Sequence, residues 1–205
     1  VPAIKYGALD RIRLAHEDLL PLFPALQGRR YVPGEGDNPQ AFIIGEAPGA
    51  QEDIAGRPFV GAAGNVLRQL MDIAGLWATD SRCDPSKPAN CWLTNVLKFR
   101  PPGNRNPTDV EIKAFRPLLM DEWEAVGAPS LIIPVGSVAL RAVTGKPMSI
   151  LRTAGKHHSY LSAKTGKQLH IWPMVHPAFG LRTPDVQPML EADWGNLGRW
   201  RAAHS

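Results

Sequence analysis

Apolar residues fall into two kinds of run along the chain, and their alternation predicts the fold. Leu9, Ile12, Leu19, Leu22, Phe23 and Leu26 recur at helical spacing between Ala8 and about Leu26. Pro21 and Pro24 must break that helix, because proline offers no N–H and crowds the preceding turn. Pro33-Gly34-Glu35-Gly36-Asp37 reads as a loop, and Ala41-Phe42-Ile43-Ile44-Gly45 as a short buried strand. Val66, Leu67, Leu70, Met71 and Ile73 give a second helix, Ala62 to Ala74, which Gly75 stops. Trp92 to Leu97 is a second strand, followed by the loop Pro101 to Pro107. Thr108 then begins a helix, with Glu111 completing a capping box. Ser130 to Val135 and Ile171 to Val175 are the third and fourth strands. A short helix runs from Gly136-Ser137 to about Thr144, and a last one from Gln187 to Arg201. Strands alternating with helices predict a mainly parallel four-stranded sheet covered on both faces, a three-layer α/β/α sandwich.

Composition narrows the class only modestly. A chain of 205 residues fits one domain, taken as 1–205. Its 44% hydrophobic and 20% charged residues exclude a disordered or fibrous protein. Lys and Arg number 23 against 19 Asp and Glu, a net +4 that suits a polyanionic partner only if it gathers on one face. Cys83 and Cys91 are too few for a four-thiolate metal site, and the loop between them allows either free thiols or a local disulfide. No apolar run reaches membrane-spanning length and Val1 to Tyr6 has no signal-peptide pattern, so a cytoplasmic protein is expected, with a monomer as the plain expectation.

The chemistry gathers at the strand ends. Gly45-Glu46, Asn95, Gly136-Ser137 and His176 each follow an apolar strand, and open α/β sheets bind ligands beyond the carboxyl ends of their strands. Glu46, in Gly45-Glu46-Ala47-Pro48-Gly49, places a carboxylate at such an exit; the same glycines serve equally in a tight strand-to-helix turn. Phe59, in Gly56-Arg57-Pro58-Phe59-Val60-Gly61, is a loop aromatic that suits stacking on a planar base or plugging the edge of the core. The Asn95 amide carries a donor and an acceptor, a match for the N3–H and O4 edge of uracil and a mismatch for cytosine; a structural amide is the alternative. Lys98, Arg100 and Arg105 are either phosphate contacts or a solvated basic loop. In His176-Pro177-Ala178-Phe179-Gly180-Leu181-Arg182, Phe179 or Leu181 suits the gap left by a flipped base, and Arg182 a phosphate.

Together these four segments, from about Gly34 to Arg182, resemble the uracil-DNA glycosylase superfamily, most closely its iron–sulfur (family 4) branch. The resemblance implies a hydrolase that cuts the N-glycosidic bond of uracil in DNA. Glu46 would position or activate water, and His176 would stabilise negative charge on uracil O2. Gly45, Ala47, Phe59 and Asn95 would hold the base. Gly61, Lys98, Arg100, Arg105, Ser137, Pro177, Phe179, Leu181 and Arg182 would face DNA. Uracil-containing and abasic DNA are then the partners, and free uracil a product.

The chain departs from that branch at its four cluster cysteines, which align with Leu19, Leu22, Phe99 and Phe115. Thiolates are the usual iron–sulfur ligands, so no cluster and no other cofactor or metal is expected. The four apolar side chains are expected to pack in its place, each contributing roughly 1.5–3 kcal/mol of burial. The rival reading is a protein that binds uracil or abasic DNA and turns over little. A covalent-trapping branch carries a histidine loop after the asparagine strand. The run Phe99 to Arg105 has none, which argues against that branch.

Overall fold

The computed structural model describes residues 4–77, 90–162 and 166–204. In chain order the elements are α1 (Tyr6–Leu19), β1 (Glu35–Gly36), β2 (Ala41–Gly45), α2 (Ala50–Ala55), α3 (Ala62–Ile73), β3 (Cys91–Asn95), α4 (Asp109–Ala125), β4 (Leu131–Pro134), α5 (Ser137–Thr144), α6 (Ile150–Thr153), β5 (His158–Leu161), β6 (Gln168–Ile171), α7 (Pro177–Arg182) and α8 (Gln187–Ala203).

The sheet has six strands in the order β1-β3-β2-β4-β6-β5, where the sequence predicts four. Its four central strands are parallel, with Ile44 opposite both Thr94 and Pro134. The two additional strands are antiparallel edges. They carry no hydrophobic alternation: β1 is two residues of a glycine turn, and β5 is largely exposed. The fourth expected strand also shifts. The regular strand β6 ends at Ile171, while Trp172 and Met174 on either side of Pro173 still donate to the Ile132 and Pro134 carbonyls at 2.9 and 2.8 Å, and an isolated Val135–Met174 bridge follows.

Alternation along β2 sorts the core into two layers. Ala41 and Ile43 pack with Leu67, Leu70 and Met71 of α3 and Leu190, Trp194 and Leu197 of α8. Phe42 and Ile44 pack with Ile112, Phe115 and Leu119 of α4 and Val138 and Ala139 of α5. Period-2 side chains on a strand reach opposite faces, so one strand nucleates both layers of the sandwich. From β2 the chain crosses to β3 on one side and then to β4 on the other. This reversal opens a crevice beyond the carboxyl ends of β2 and β4.

The positions aligned with cluster cysteines lie in an aromatic packing unit. Phe99 and Phe115 are buried with ring centroids 6.4 Å apart. Tyr31 meets Phe99 edge-on at 5.7 Å, Phe23 packs on Phe115 at 5.3 Å, and His16 stacks on Phe115 at 5.6 Å. Leu19 is half-buried against the same layer, but Leu22 is 71% exposed and takes no part. The 3₁₀ turns Leu20–Leu22 and Pro24–Leu26 each take a proline at their start. They rotate the chain so that Phe23 between them faces inward and Leu22 faces water. Burial, and secondarily the charge of Lys98, lowers the His16 pKa to about 3 and keeps the ring neutral within this apolar stack.

Cys91 is a free, buried thiol, while Cys83 lies outside the described residues. Among the described residues no helix is long and apolar enough to cross a membrane.

Candidate active site

Four neighbouring strands deliver the site residues in spatial order: Asn95 at the end of β3, Gly45-Glu46 at the end of β2, Gly136 after β4, and His176 after β6. The N–H groups of Val96 and Leu97 donate to the carbonyls of Gly45 and Glu46 at 3.0 and 3.1 Å. The two strand exits are thereby tied together through main chain.

Asn95 is 4% exposed, and its amide has no hydrogen-bond partner among the described residues. It presses against Gly45 together with the Phe59 ring; a Cβ built on Gly45 would overlap both the amide oxygen and the ring carbon Cζ. Phe59 reaches this place through a left-handed backbone, φ +55°, which few bulky residues adopt. The conformation is held from below by Gly64 in the first turn of α3, where any Cβ would overlap the Phe59 carbonyl. Ring and amide therefore meet over one glycine at the end of β2. Ala47 packs against the α4–α5 layer behind it.

The His176 ring is fixed by the chemistry of its own sequence. Pro177 has no N–H, so the first donor of α7 is Ala178, and it donates to His176 Nδ1 at 3.2 Å. A ring accepting at Nδ1 carries its proton on Nε2. Burial lowers the His176 pKa to about 4, assisted by the Arg182 charge and opposed by Glu52. The ring is therefore a neutral Nε2–H donor at physiological pH. Burial acts in the opposite sense on Glu46, raising its carboxyl above the ordinary range. A neutral donor and a basic carboxylate thus stand at strand exits on either side of β4.

The structure redistributes several residues expected at DNA. Lys98 is fully buried, with its ammonium 2.6 Å from Glu122, 3.0 Å from the Asn95 carbonyl, and bonded to Thr94. It is a structural ion-pair partner beneath the site and reaches no solvent. Arg105 forms a bidentate pair with Glu111 at 2.7 and 2.8 Å, which fastens its loop to the capping box of α4. Arg100 stays partly exposed beside Asn104 and Asp53. Of the two wedge candidates, Phe179 packs on the core and Leu181 is 49% exposed beside exposed Arg182. Pro177 is buried, and Ser137 is exposed at the start of α5.

Glu52 was not among the expected site residues. Its two oxygens accept from Gly49 N–H at 3.1 Å and Gly61 N–H at 2.8 Å, clamping the Glu46 turn to the Phe59 loop. Its spacing three residues after Gly49 is the capping spacing, and was the available signal. The Glu122 acceptor cluster left no such trace. It receives Trp92 Nε1–H at 2.9 Å and the Thr94 hydroxyl across 30 and 28 residues of sequence.

The sequence that builds this arrangement is similar to that of known proteins. The model of the uracil DNA glycosylase superfamily matches residues 33–197, from the turn before β1 into α8. A Type-4 uracil-DNA glycosylase of Saccharolobus solfataricus is 37% identical over 169 residues, covering 80% of this chain and 72% of that protein. One from Archaeoglobus fulgidus is 34% identical over 173 residues, covering 82% and 80%. One from Thermotoga maritima is 35% identical over 153 residues, covering 74% and 71%. The match spans every strand that contributes to the crevice, and by this measure the chain belongs to the uracil-DNA glycosylase superfamily.

Proposed function

We propose that this protein is a monofunctional uracil-DNA glycosylase that accepts a uracil flipped out of DNA and hydrolyses its N-glycosidic bond. The observation that carries this reading is the nearly buried Asn95 amide, packed together with the Phe59 ring against Gly45 where β2 and β3 end. The amide offers an acceptor and donors, and the uracil N3–H and O4 edge supplies their complements. Phe59 stacks on the base. As the C1′–N1 bond breaks, its electron pair moves onto uracil, and the Nε2–H of His176 donates to the charge growing on O2. Glu46 holds a water against C1′ and takes its proton as the new C–O bond forms. The uracil anion then takes up a proton and leaves, and the DNA keeps an abasic site. Lys98 is sealed against Glu122, so its amine is not offered to the sugar for lyase chemistry.

Multiple-turnover release of uracil from a labelled duplex tests this. Glu46→Ala, Asn95→Ala and His176→Ala are each expected to lose on the order of a hundredfold or more in rate. Glu46 must be ionised, so activity should fall as pH drops through its raised pKa, and Glu46→Gln should remove that acidic limb. His176, already neutral above about pH 4, adds no limb near neutrality. Tight DNA binding without release of base would replace this proposal with the damage-binding reading.

The iron–sulfur cluster implied by the family-4 resemblance does not suit the side chains present. Phe99, Phe115 and Phe23 offer no thiolate, and no group of three His, Cys, Asp or Glu among the described residues is placed to hold a metal. We propose that aromatic packing replaces the cluster as the brace between α1, the β3 exit and α4. Purified protein should carry no stoichiometric iron by elemental analysis, and stoichiometric iron would end this proposal.

A further inference from the structure

Two guanidinium groups and the backbone of a third arginine gather on the Asp53 carboxylate, and only Arg100 among the three stood out in the sequence. Arg29 and Arg100 approach Asp53 Oδ2 to 3.9 and 4.0 Å. The backbone N–H of Arg30 donates to Asp53 Oδ1 at 3.2 Å, and its guanidinium donates to the Ile54 carbonyl at 2.7 Å, near the end of α2. Arg57, in the adjoining loop, is committed to Glu35 at 2.8 Å.

The geometry of the Asp53 group is that of a held set of cations, not a neutralised pair. Three arginines and one aspartate leave a formal +2, half of the chain's net +4. The 3.9–4.0 Å approaches of Arg29 and Arg100 are outer-range contacts, so most of their N–H donors remain available. The Asp53 side chain is 16% exposed, whereas that of Arg29 is 37% exposed and Arg30 is exposed. The carboxylate is inside and the guanidinium groups are outside.

Position gives this charge a use. Asp53 lies on α2, which begins four residues after Glu46 and is about 9 Å long at 1.5 Å per residue. Arg100 follows Asn95 by five residues. The cluster is therefore built on the segments that leave the β2 and β3 exits carrying Glu46 and Asn95, and a DNA strand carries a phosphate at every nucleotide.

We infer that Arg29 and Arg30, together with Arg100, form a phosphate-binding patch for the DNA strand flanking the flipped nucleotide, with Asp53 as the carboxylate that spaces them. This rests on the glycosylase reading for the identity of the ligand, but not for its test. Binding of a labelled duplex without uracil is measured by anisotropy as a function of salt. Each phosphate contact removed lowers the slope of log K against log salt by about 0.9.

Arg29→Gln/Arg30→Gln is expected to flatten the slope by about two and to weaken binding at low salt. Arg29→Lys, which keeps the charge, is expected to retain the wild-type slope. Arg29→Gln alone guards against misfolding, since Arg29 is exposed and touches Asp53 only at long range; it should flatten the slope by about one. Equal slopes for wild type and both Gln variants, in proteins that melt at the same temperature, would overturn the inference. If wild type released no uracil while the slope still flattened, the patch would stand as a DNA contact and the glycosylase reading would fall.

Discussion

Gly45→Ala is expected to lower kcat/KM for uracil release by about a thousandfold or more in a protein that still folds. Gly45 has no unusual backbone conformation, so the effect comes from space alone. The added methyl would overlap the Asn95 amide and the Phe59 ring together. Both groups must then shift on the ångström scale. A displacement of about 1 Å in one positioning group can cost on the order of a hundredfold, and here two move at once. Overpacking at one buried position costs about 1–3 kcal/mol, which for a chain of this size lowers Tm by roughly 2–4 °C per kcal/mol. Stability and activity are thus expected to part company, and circular-dichroism melts run beside steady-state rates separate them. A Gly45→Ala protein with wild-type rates would show that the base does not sit against Asn95 and Phe59.

The same glycine shows how far the sequence could be read. The strand Ala41 to Gly45 was legible to the residue, because five buried apolar positions ending in glycine admit few other readings. The order of site residues was legible as strand exits. That Asn95 and Glu46 lie on adjacent strands, with β4 and then His176 on the other side of β2, depends on a crossover that local pattern does not encode. Edge strands were invisible because a two-residue pairing and a largely exposed strand bury too little to leave a hydrophobic period. Leu22 was misjudged for a local reason: two proline-led 3₁₀ turns change the facing of the chain by one residue, and Phe23 packs where Leu22 was expected. Lys98 was misjudged for a long-range reason. A lysine among Arg100 and Arg105 reads as part of a basic loop. Only folding brings Glu122, 24 residues away, to its ammonium.

That buried pair yields the largest expected effect on stability. Lys98→Met is expected to destabilise the protein by about 3–5 kcal/mol, the usual cost of leaving one member of a buried ion pair uncompensated. The Lys98 side chain is fully buried and that of Glu122 nearly so, which leaves water little room to screen the orphaned carboxylate. Trp92 and Thr94 would still donate to Glu122, but two neutral donors do not replace an ammonium at 2.6 Å. Lys98→Met/Glu122→Gln separates charge from packing. The amide keeps an acceptor for Trp92 and Thr94 and removes the unpaired charge, so urea unfolding should recover most of the loss. If single and double variants were equally unstable, lost packing would be the cause and the ion pair incidental. The double variant also conserves net charge and changes no solvent-exposed cation. Its salt dependence of DNA binding should match that of wild type, in contrast to the Arg29 and Arg30 variants. A flattened slope in this variant would return Lys98 to the DNA surface, against its burial beneath Asn95.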